Sequence, residues 1–486
     1  MQGIFSPDRE PHPAVEEIKY LQQPIFFKAV FLKGRKVAYI DENRSIQIVI
    51  ENRFVFRPLT ELQWTWSITS EAPSPSKLNP KLKKVPEAGI LIICPELTTA
   101  KMYDTSGKHW LHIQIYFKGY EIARERFELI HKISRQRKIQ IPKSPGNYFA
   151  GQSSLEVKQN DITVEIWLKG LNLRMATVDK SSGTLSSYTT PCGNEVISLG
   201  QGGLIPNYTR ASVDNDRGGV DRLGELLPTW VYYFGLLTGS FKYSYSYLWN
   251  KLGLDPLSPP RLECENIQVV QKENCGSIQV LTSGRVVSRC FNRKKYLFSQ
   301  QIGYNFFQDG SIHVSNRILP LTSALSVTTL PRFGFFATIN RSLYNISYLG
   351  RGPNENYCDR KSSAAEGIWC TSPSKMGYNY IVPSENGNRC DCTWISFRND
   401  NGVGLLLVKG DDSEKSGLNF SALLHDQKEF HAATHTSQLE RRVEGQHPIY
   451  MNVDSKLMGI GGDVGYVDLY VLVILLPLLP FSFHLK

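Results

Sequence analysis

Four acidic residues in polar loops are the side chains of this sequence best suited to acid–base chemistry. Glu355 and Glu385 lie in the segments GPNENY and PSENG, whereas Asp214 and Asp359 lie in VDNDRGG and NYCDR. Two converging carboxyl groups can act as proton donor and nucleophile when they are about 5–5.5 Å apart. The alternative is that acids among Asn, Pro and Gly accept backbone N–H groups and fix turns. We favour the alternative, with roles in turns and interfaces.

The segment HAATH places His431 and His435 at the spacing of two metal ligands on one helical face. The zinc-protease pattern also needs a Glu directly after the first His, and Ala432 occupies that position. We therefore predict a local turn or helix start rather than a metal site. The sequence also lacks a nucleophile elbow, a P-loop and a dinucleotide fingerprint.

Nine cysteines at irregular spacing form no pair of CxxC motifs. We interpret the nine as mostly free thiols, which predicts a reducing compartment and a cytoplasmic location. The N-terminal segment shows no signal-peptide pattern.

The charge pattern argues against nucleic acid as a partner. The net charge is +10, but the basic residues are scattered and form no groove with aromatic platforms. The apolar run from Leu469 to Phe481 is interrupted by two prolines. At about 13 residues it is shorter than the ~20 needed to cross a bilayer, so we predict no membrane partner.

Alternation of apolar and polar residues predicts antiparallel strands that position these loops. It occurs at Leu62 to Ile68, at Leu111 to Ile115 and at Ile162 to Leu168. Asp309-Gly310 predicts a two-residue hairpin, and helical periodicity is confined to short stretches such as Ala14 to Tyr20. Together these patterns predict stacked β-sandwiches.

Five separated segments give the sequence a family resemblance. They are PDREPHP, RASVDNDRGG, YLGRGPNENYCDR, YNYIVPSENGNR, and HAATH followed by MNVDSKLMGIGGD. In this order they resemble segments of the bacterial and plant β-galactosidases of glycoside hydrolase family 2. The resemblance runs from Gln2 to Asp463, and the region it covers is the C-terminal part of that family, including its small-chain region.

The resemblance implies an all-β fold, with an immunoglobulin-like β-sandwich followed by a large antiparallel β-sandwich of the galactose mutarotase-like type. It also implies that the two catalytic glutamates lie in a barrel upstream of Met1, so that this chain carries none. The expected divisions are residues 1–23 (barrel remnant and linker), 24–135 (immunoglobulin-like sandwich), 136–152 (linker), 153–466 (large sandwich) and 467–486 (divergent apolar tail).

The resemblance implies a role in the site for three residues. Gln2 replaces a sodium-ligating Asn, Gly218 lies in the loop that helps to cover the sugar pocket, and Tyr466 replaces a Trp that stacks on the sugar. Magnesium and sodium are implied for the complete enzyme. Residues 223–245 have no family counterpart and would obstruct the cleft, and the departure after Asp463 predicts lost strands and open sheet edges.

The implied function is the C-terminal portion of a retaining β-galactosidase, which hydrolyses terminal non-reducing β-D-galactose residues of β-galactosides. The chain would support the barrel and the mouth of the site, and alone it would be inactive. The implied partners are a barrel-bearing chain or subunit and, through it, the galactoside; the complete enzyme would be an oligomer. The alternatives are a non-catalytic carbohydrate-binding β-sandwich protein and an inactive fragment of an incomplete gene model.

Overall fold

The structure is a computed structural model. It describes residues 4–32, 35–40, 46–70, 90–93, 108–131, 154–197, 203–217, 230, 244–272, 276–290, 293–321, 329–410, 417–461 and 479–485. Strands dominate these residues, nearly all of them paired antiparallel, so the prediction of an all-β chain is confirmed. Among the described helices, none has the length and apolarity required to cross a bilayer.

The chain divides into two compact units. The first comprises Met1–Phe5, Arg9–Pro142 and Ser362–Ile368, and the second comprises Ser6–Asp8, Lys143–Lys361 and Trp369–Lys486. The predicted linker at 136–152 lies outside the described residues.

The first unit begins with a short helix and continues with strands. The elements are α1 (Ala14–Leu21), β1 (Ile25–Lys28), β2 (Val30–Leu32), β3 (Arg35–Ile40), β4 (Ile46–Asn52), β5 (Gln63–Ser70), β6 (Ile90–Ile93), β7 (His109–Phe117) and β8 (Tyr120–His131). The described strands follow the order β1-β4-β3-β8-β7-β5, with β2 against β3 and β6 against β4. Only β3 and β8 run parallel among these pairs.

Alternation explains the core of the first unit. Leu111, Ile113 and Ile115 of β7 are fully buried, and Trp66 and Ile68 of β5 join the same cluster. The cluster also contains isoleucines of β1 and β4, so both halves of the sheet share one core, as in a sandwich. The alternation predicted for these two strands is confirmed.

The second unit contains the remaining described elements, except that the first four residues of β21 (Ala365–Thr371) are assigned to the first unit. Its strands are β9 (Leu155–Gln159), β10 (Thr163–Leu168), β11 (Leu173–Asp179), β12 (Leu185–Thr189), β13 (Glu195–Ile197), β14 (Leu204–Asn207), β15 (Arg261–Lys272), β16 (Ser277–Cys290), β17 (Arg293–Phe306), β18 (Ile312–Pro320), β19 (Arg332–Ile339), β20 (Asn345–Gly352), β21 (Ala365–Thr371), β22 (Arg389–Cys392), β23 (Trp394–Arg398), β24 (Gly404–Lys409), β25 (Leu418–Leu423), β26 (Ile449–Leu457) and β27 (Leu479–Leu485). Its helices are α2 (Tyr245–Leu252), α3 (Pro373–Met376) and α4 (Gln427–Ala432).

Two large sheets form this unit. One follows the order β22-β25-β26-β19-β13-β12-β11-β10-β9, with β14 beside β12 and β19, and the other follows β15-β16-β17-β18-β27-β24-β23-β20-β21. Buried side chains of both sheets, such as Val453 from the first and Phe298 from the second, belong to one hydrophobic cluster. The second unit is therefore a large, predominantly antiparallel sandwich.

The C-terminal strand departs from the expected tail. β27 lies between β18 and β24, with Ile312 opposite Leu485 and Lys409 opposite Phe483. Residues 479–485 therefore belong to the sandwich, and the expectation of an open sheet edge is wrong at this position. The reason is local: Phe481, Phe483 and Leu485 alternate with Ser482 and His484, which is a strand pattern.

Two turns also differ in detail from the prediction. β17 and β18 form the expected hairpin, but the connection is Phe307–Ser311 rather than two residues, because the Asp309 carboxylate accepts the N–H and the hydroxyl of Ser311. The predicted alternation from Ile162 to Leu168 begins too early, because Ile162 is 68% exposed and precedes β10. The Asn160 side chain accepts the N–H of Ile162.

Ala14 to Tyr20 is helical as predicted.

Candidate functional site

Four polar loops of the second unit contact one another at the ends of its strands. They are residues 209–217 after β14, 353–361 after β20, 383–388 before β22 and 458–461 after β26. The N–H of Glu385 donates to the carbonyl of Ala211 at 3.2 Å, and that of Asn356 donates to the carbonyl of Asn388 at 2.9 Å. We call this group of loops the polar loop cluster. It contains parts of four of the five segments that the sequence analysis singled out.

Arg210 joins the first loop to the last. Its guanidinium donates to both oxygens of Asp216, at 3.1 and 2.6 Å, and also to the carbonyls of Met458 and Gly459, at 2.5 and 2.9 Å. The Arg210 side chain is fully buried, and the guanidinium carbon lies 5.6 Å from the ring centre of Trp249 in α2. Because this planar group donates hydrogen bonds to two separate loops, it fixes the position of one loop relative to the other.

Arg332 at the start of β19 faces two buried carboxylates. Its Nη2 lies 3.1 Å from both oxygens of Glu385, and its Nε lies 3.1 Å from Oδ2 of Asp454 in β26. All three side chains are 0% exposed. The approach to Asp454 is close enough for an ion pair, but it lacks hydrogen-bond alignment.

Burial governs the protonation of these acids. It raises the pKa of Asp454 to about 7, with Arg332 opposing and Glu385 reinforcing the rise. It also raises the pKa of Glu385, against the opposing charges of Arg332 and Arg210. One guanidinium therefore faces two acids, and a proton on Asp454 relieves the excess negative charge.

Glu355 is also buried in the cluster and paired with an arginine. It forms an ion pair with Arg360, accepts the Tyr380 hydroxyl at 3.2 Å and accepts the N–H of Gly387 at 2.7 Å. Its side chain is only 3% exposed. Burial strongly raises the pKa of the neighbouring Tyr357, so that phenol stays neutral.

The two aspartates of the candidate set differ in position. Asp359 accepts the N–H of Gly461 at 2.6 Å, and a side chain at Gly459 or Gly461 would collide with its carboxylate. Asp214 is partly exposed at the start of a short helical turn. The structure thus brings Glu355, Glu385 and Asp359 into the polar loop cluster as the acceptors of turns and ion pairs.

The two histidines of HAATH have separate environments. His431 lies in α4, 4.0 Å from Asp255, and burial lowers its pKa. His435 lies beyond α4, where its Nδ1 accepts the N–H of Ser437 at 3.1 Å. Asp426 and Glu429 form a capping box that starts α4. Across the described ranges, no group of three or more His, Cys, Asp or Glu residues is placed to hold a metal ion.

Glu355 and Glu385 are held in buried ion pairs. Glu355 and Glu385 are already neutralised by arginines and shielded from solvent, so neither can reach a substrate as acid or nucleophile in this arrangement. What the polar loop cluster can do is hold loops in place. Gln2, Gly218 and Tyr466 lie outside the described residues, as do most of residues 223–245.

Sequence reasoning missed the arginines and Asp454. Arg332 begins the apolar segment RFGFFATI, and Asp454 interrupts the strand MNVDSKL. A charge beside an otherwise apolar strand segment requires a buried partner of opposite sign, and that signal was present at Arg332. Cys390 and Cys392 lie on the described edge strand β22, and both are buried and free.

Comparison with known proteins identifies relatives of the whole chain. A model of the family described as "Beta galactosidase small chain" matches residues 172–467. A beta-galactosidase of Psychromonas ingrahamii is 26% identical over 470 residues, which cover 95% of this chain and 39% of that protein. A beta-galactosidase from Priestia megaterium is 24% identical over 473 residues, which cover 95% of this chain and 38% of that protein.

The chain thus spans about two fifths of the length of these curated relatives. Among solved structures, a galactose mutarotase-like protein from Lactobacillus casei aligns with 68% of this chain and 99% of its own, at 8% identity and a TM-score of 0.31.

Proposed function

Since this chain belongs to the beta-galactosidase small chain family, we propose that it serves as the C-terminal, supporting portion of a β-galactosidase. In this role it holds loops at the mouth of a galactoside site, while the acid/base and nucleophilic glutamates come from a barrel-bearing segment or subunit. The complete enzyme hydrolyses terminal β-D-galactose residues with retention of configuration, as an oligomer of glycoside hydrolase family 2.

The polar loop cluster carries this proposal. Its buried charges are arranged to fix backbone, because Arg210 bonds two carbonyls of one loop and the carboxylate of another. Glu385 and Glu355 accept from Arg332 and Arg360 and so stabilise the loops rather than react. A supporting role needs rigid loops, and catalysis would need accessible acids.

Metal ions belong to the proposal only through the complete enzyme. The described residues offer no group of three or more His, Cys, Asp or Glu placed to hold a metal ion, and Gln2 lies outside them. The supporting role proposed for this chain does not depend on bound sodium or magnesium.

A cytoplasmic location is part of the same proposal. Six cysteines are free thiols, which agrees with a reducing compartment; they are Cys192, Cys264, Cys358, Cys370, Cys390 and Cys392. Burial raises the pKa of Cys358 to about 11 and that of Cys390 still higher, so these thiols stay protonated and unreactive.

The direct test is an assay of the purified chain with a chromogenic β-galactoside. We expect no turnover by the chain alone, and turnover after addition of a barrel-bearing β-galactosidase polypeptide that lacks the matched region. Hydrolysis by the isolated chain would overturn the proposal. Binding of free galactose by the isolated chain tighter than millimolar would instead favour a carbohydrate-binding module.

A further inference from the structure

Two Asn-Gly dipeptides of the second unit lie in opposite environments. They are Asn386-Gly387, within the polar loop cluster, and Asn401-Gly402, in the turn between β23 and β24. In both, the asparagine precedes a residue that has no side chain to hinder its own backbone nitrogen. At such a position the chain can modify itself, because that nitrogen can attack the side-chain amide. The surroundings of each dipeptide therefore decide which of the two reacts.

Asn386 is fixed by hydrogen bonds at both ends of its side-chain amide. It is 2% exposed, its side-chain oxygen accepts the N–H of Tyr378 at 3.3 Å, and its amide nitrogen donates to the carbonyl of Ser384 at 2.8 Å. The N–H of Gly387 donates to the Glu355 carboxylate at 2.7 Å. This negative charge opposes loss of the proton from the Gly387 nitrogen, and the bonded amide is not free to turn toward it.

Asn401 lies in the exposed turn, and no hydrogen bond joins its side-chain amide to another residue that the structure describes. Gly402 is also exposed, with a φ of +79° and no atom within 4 Å of the position that a Cβ would occupy. Its N–H donates to the carbonyl of Asn399 at 3.0 Å. Hydrogen bonds of exposed turns open at a small cost in free energy. The Asn401 amide can therefore meet the Gly402 nitrogen while β23 and β24 stay paired.

We propose that Asn401 is a site of spontaneous deamidation in the folded protein, with water as the only co-reactant. The backbone nitrogen of Gly402, after losing its proton to hydroxide, attacks the side-chain carbonyl carbon of Asn401. A succinimide ring closes as the bond from that carbon to the side-chain nitrogen breaks, and this nitrogen takes a proton from water and leaves as ammonia. A second water adds to either ring carbonyl and opens the ring, which gives aspartate or isoaspartate.

The modification changes a turn that depends on its backbone geometry. The side-chain oxygen of Asn399 accepts the N–H groups of Asn401 and Val403, each at 3.0 Å. The N–H of Asn399 in turn donates to the carbonyl of Val403 at 2.9 Å. An isoaspartate at position 401 adds one carbon to the main chain within this closed set of hydrogen bonds. The donors that follow it are displaced from their acceptors, so the turn loosens.

The test follows both asparagines in the full chain at mildly alkaline pH, where more of the backbone nitrogen is deprotonated. Peptide mapping by mass spectrometry detects the replacement of the amide nitrogen by oxygen at each position. In the folded chain we expect Asn401 to react more than about tenfold faster than Asn386, because reaction at Asn386 requires the buried cluster to open. In guanidinium chloride the two rates should become similar, since glycine follows the asparagine in both dipeptides.

Hydrogen exchange measures the effect on the turn, with Asn401→Gln as the matched variant that does not close this ring readily. Incubation should speed amide exchange at the turn between β23 and β24 of the unaltered chain and leave it unchanged in Asn401→Gln. Circular dichroism establishes that both proteins are folded.

Three results would overturn the proposal. They are equal rates at the two asparagines of the folded chain, an unmodified Asn401 after the denatured sample has reacted, and the same change of amide exchange in Asn401→Gln as in the unaltered chain. Because no galactoside enters this experiment, its failure leaves the proposed function intact.

Discussion

Asp454, on β26 beside the polar loop cluster, is buried without an aligned hydrogen-bond donor. Arg332 bonds both oxygens of Glu385, and Asp454 is left with an approach of 3.1 Å that lacks hydrogen-bond alignment. A buried carboxylate without aligned donors is stabilised by protonation. The proton on this residue is therefore a structural component of the cluster near neutral pH.

The first prediction concerns the pH dependence of stability. The pKa of Asp454 rises from its ordinary 3.8 to about 7 on folding. Between these values the native state holds a proton that the unfolded chain has released, so this residue makes the free energy of unfolding fall as pH rises, by up to about 1.4 kcal/mol per pH unit. Below this window the contribution is fully present, and above it is lost.

Asp454→Asn is a neutral analogue that removes this titration. Urea unfolding at several pH values should show the stability of Asp454→Asn, relative to the unaltered chain, improving steadily from pH 5 to pH 7. The raised pKa of Glu385 acts in the same direction, but it is present in both proteins. Parallel stability curves for the two proteins would contradict this account.

The second prediction concerns the Arg210–Asp216 ion pair. Arg210→Met leaves the buried carboxylate of Asp216 without its guanidinium, and breaking a buried pair in this manner costs about 3–5 kcal/mol. Arg285→Met is the matched control, because Arg285 and Glu265 are about half exposed, and such a pair contributes at most about 1 kcal/mol. Urea unfolding measures both changes.

A double substitution separates loss of the pair from loss of packing. Adding Asp216→Asn to Arg210→Met removes the uncompensated charge and should recover part of the lost stability. If the double variant were as unstable as the sum of the two single variants, the ion pair would not be the cause.

The residues of this cluster show what sequence can and cannot reveal. Glu355, Glu385 and Asp359 were singled out as candidate acid–base residues, with turn and interface roles as the favoured interpretation, and each does accept backbone or arginine donors. Arg332, which pairs with Glu385 and Asp454, comes from a strand distant in sequence from both acids. Pairing between such strands depends on tertiary packing, which local pattern does not specify.

At the scale of elements, β27 is the feature with the greatest structural consequence. It pairs with β18 over seven residues and with β24 over three, so it joins the two parts of its sheet. Phe483 is fully buried and packs edge-on against Phe335 of the facing sheet, with 5.7 Å between ring centres. The strand thus contributes to both the sheet and the core.

The third prediction tests this role of β27. Phe483→Ala should destabilise the chain by about 3–5 kcal/mol, the usual cost of removing a buried aromatic ring. Leu319→Ala on the neighbouring β18 is the control, because Leu319 is 43% exposed and its loss should change stability by less than about 0.5 kcal/mol. Equal effects in urea unfolding would indicate that β27 is not part of the folded sandwich.

Strands were predicted best where alternation was regular. β5 and β7 follow their apolar positions closely, whereas β27 was missed because the preceding apolar run and its prolines suggested a tail. Pro480 lies near the start of β27, a position that strands tolerate. The alternation of Phe481, Phe483 and Leu485 was a valid local signal, but its partners β18 and β24 follow only from the tertiary fold.

For the whole molecule, the loops and strands of the second unit form one connected framework, which is the basis of the proposed supporting role. The large sandwich supplies strand ends, and the polar loop cluster joins those ends through buried charges. The resemblance in sequence identified the family, but the supporting role depends on contacts between loops that lie up to 249 positions apart.

The last prediction connects this cluster to activity in the complete enzyme and rests on the proposed function. The unaltered chain should restore turnover of a chromogenic β-galactoside to a barrel-bearing polypeptide that lacks the matched region. Arg210→Met should restore less, because Arg210 fixes the loops at 209–217 and 458–461, whereas Arg285→Met should restore as much as the unaltered chain. Assays at a temperature where all three chains are folded by circular dichroism exclude simple unfolding. Equal restoration by Arg210→Met would show that these loops need no fixed position for the enzyme to work.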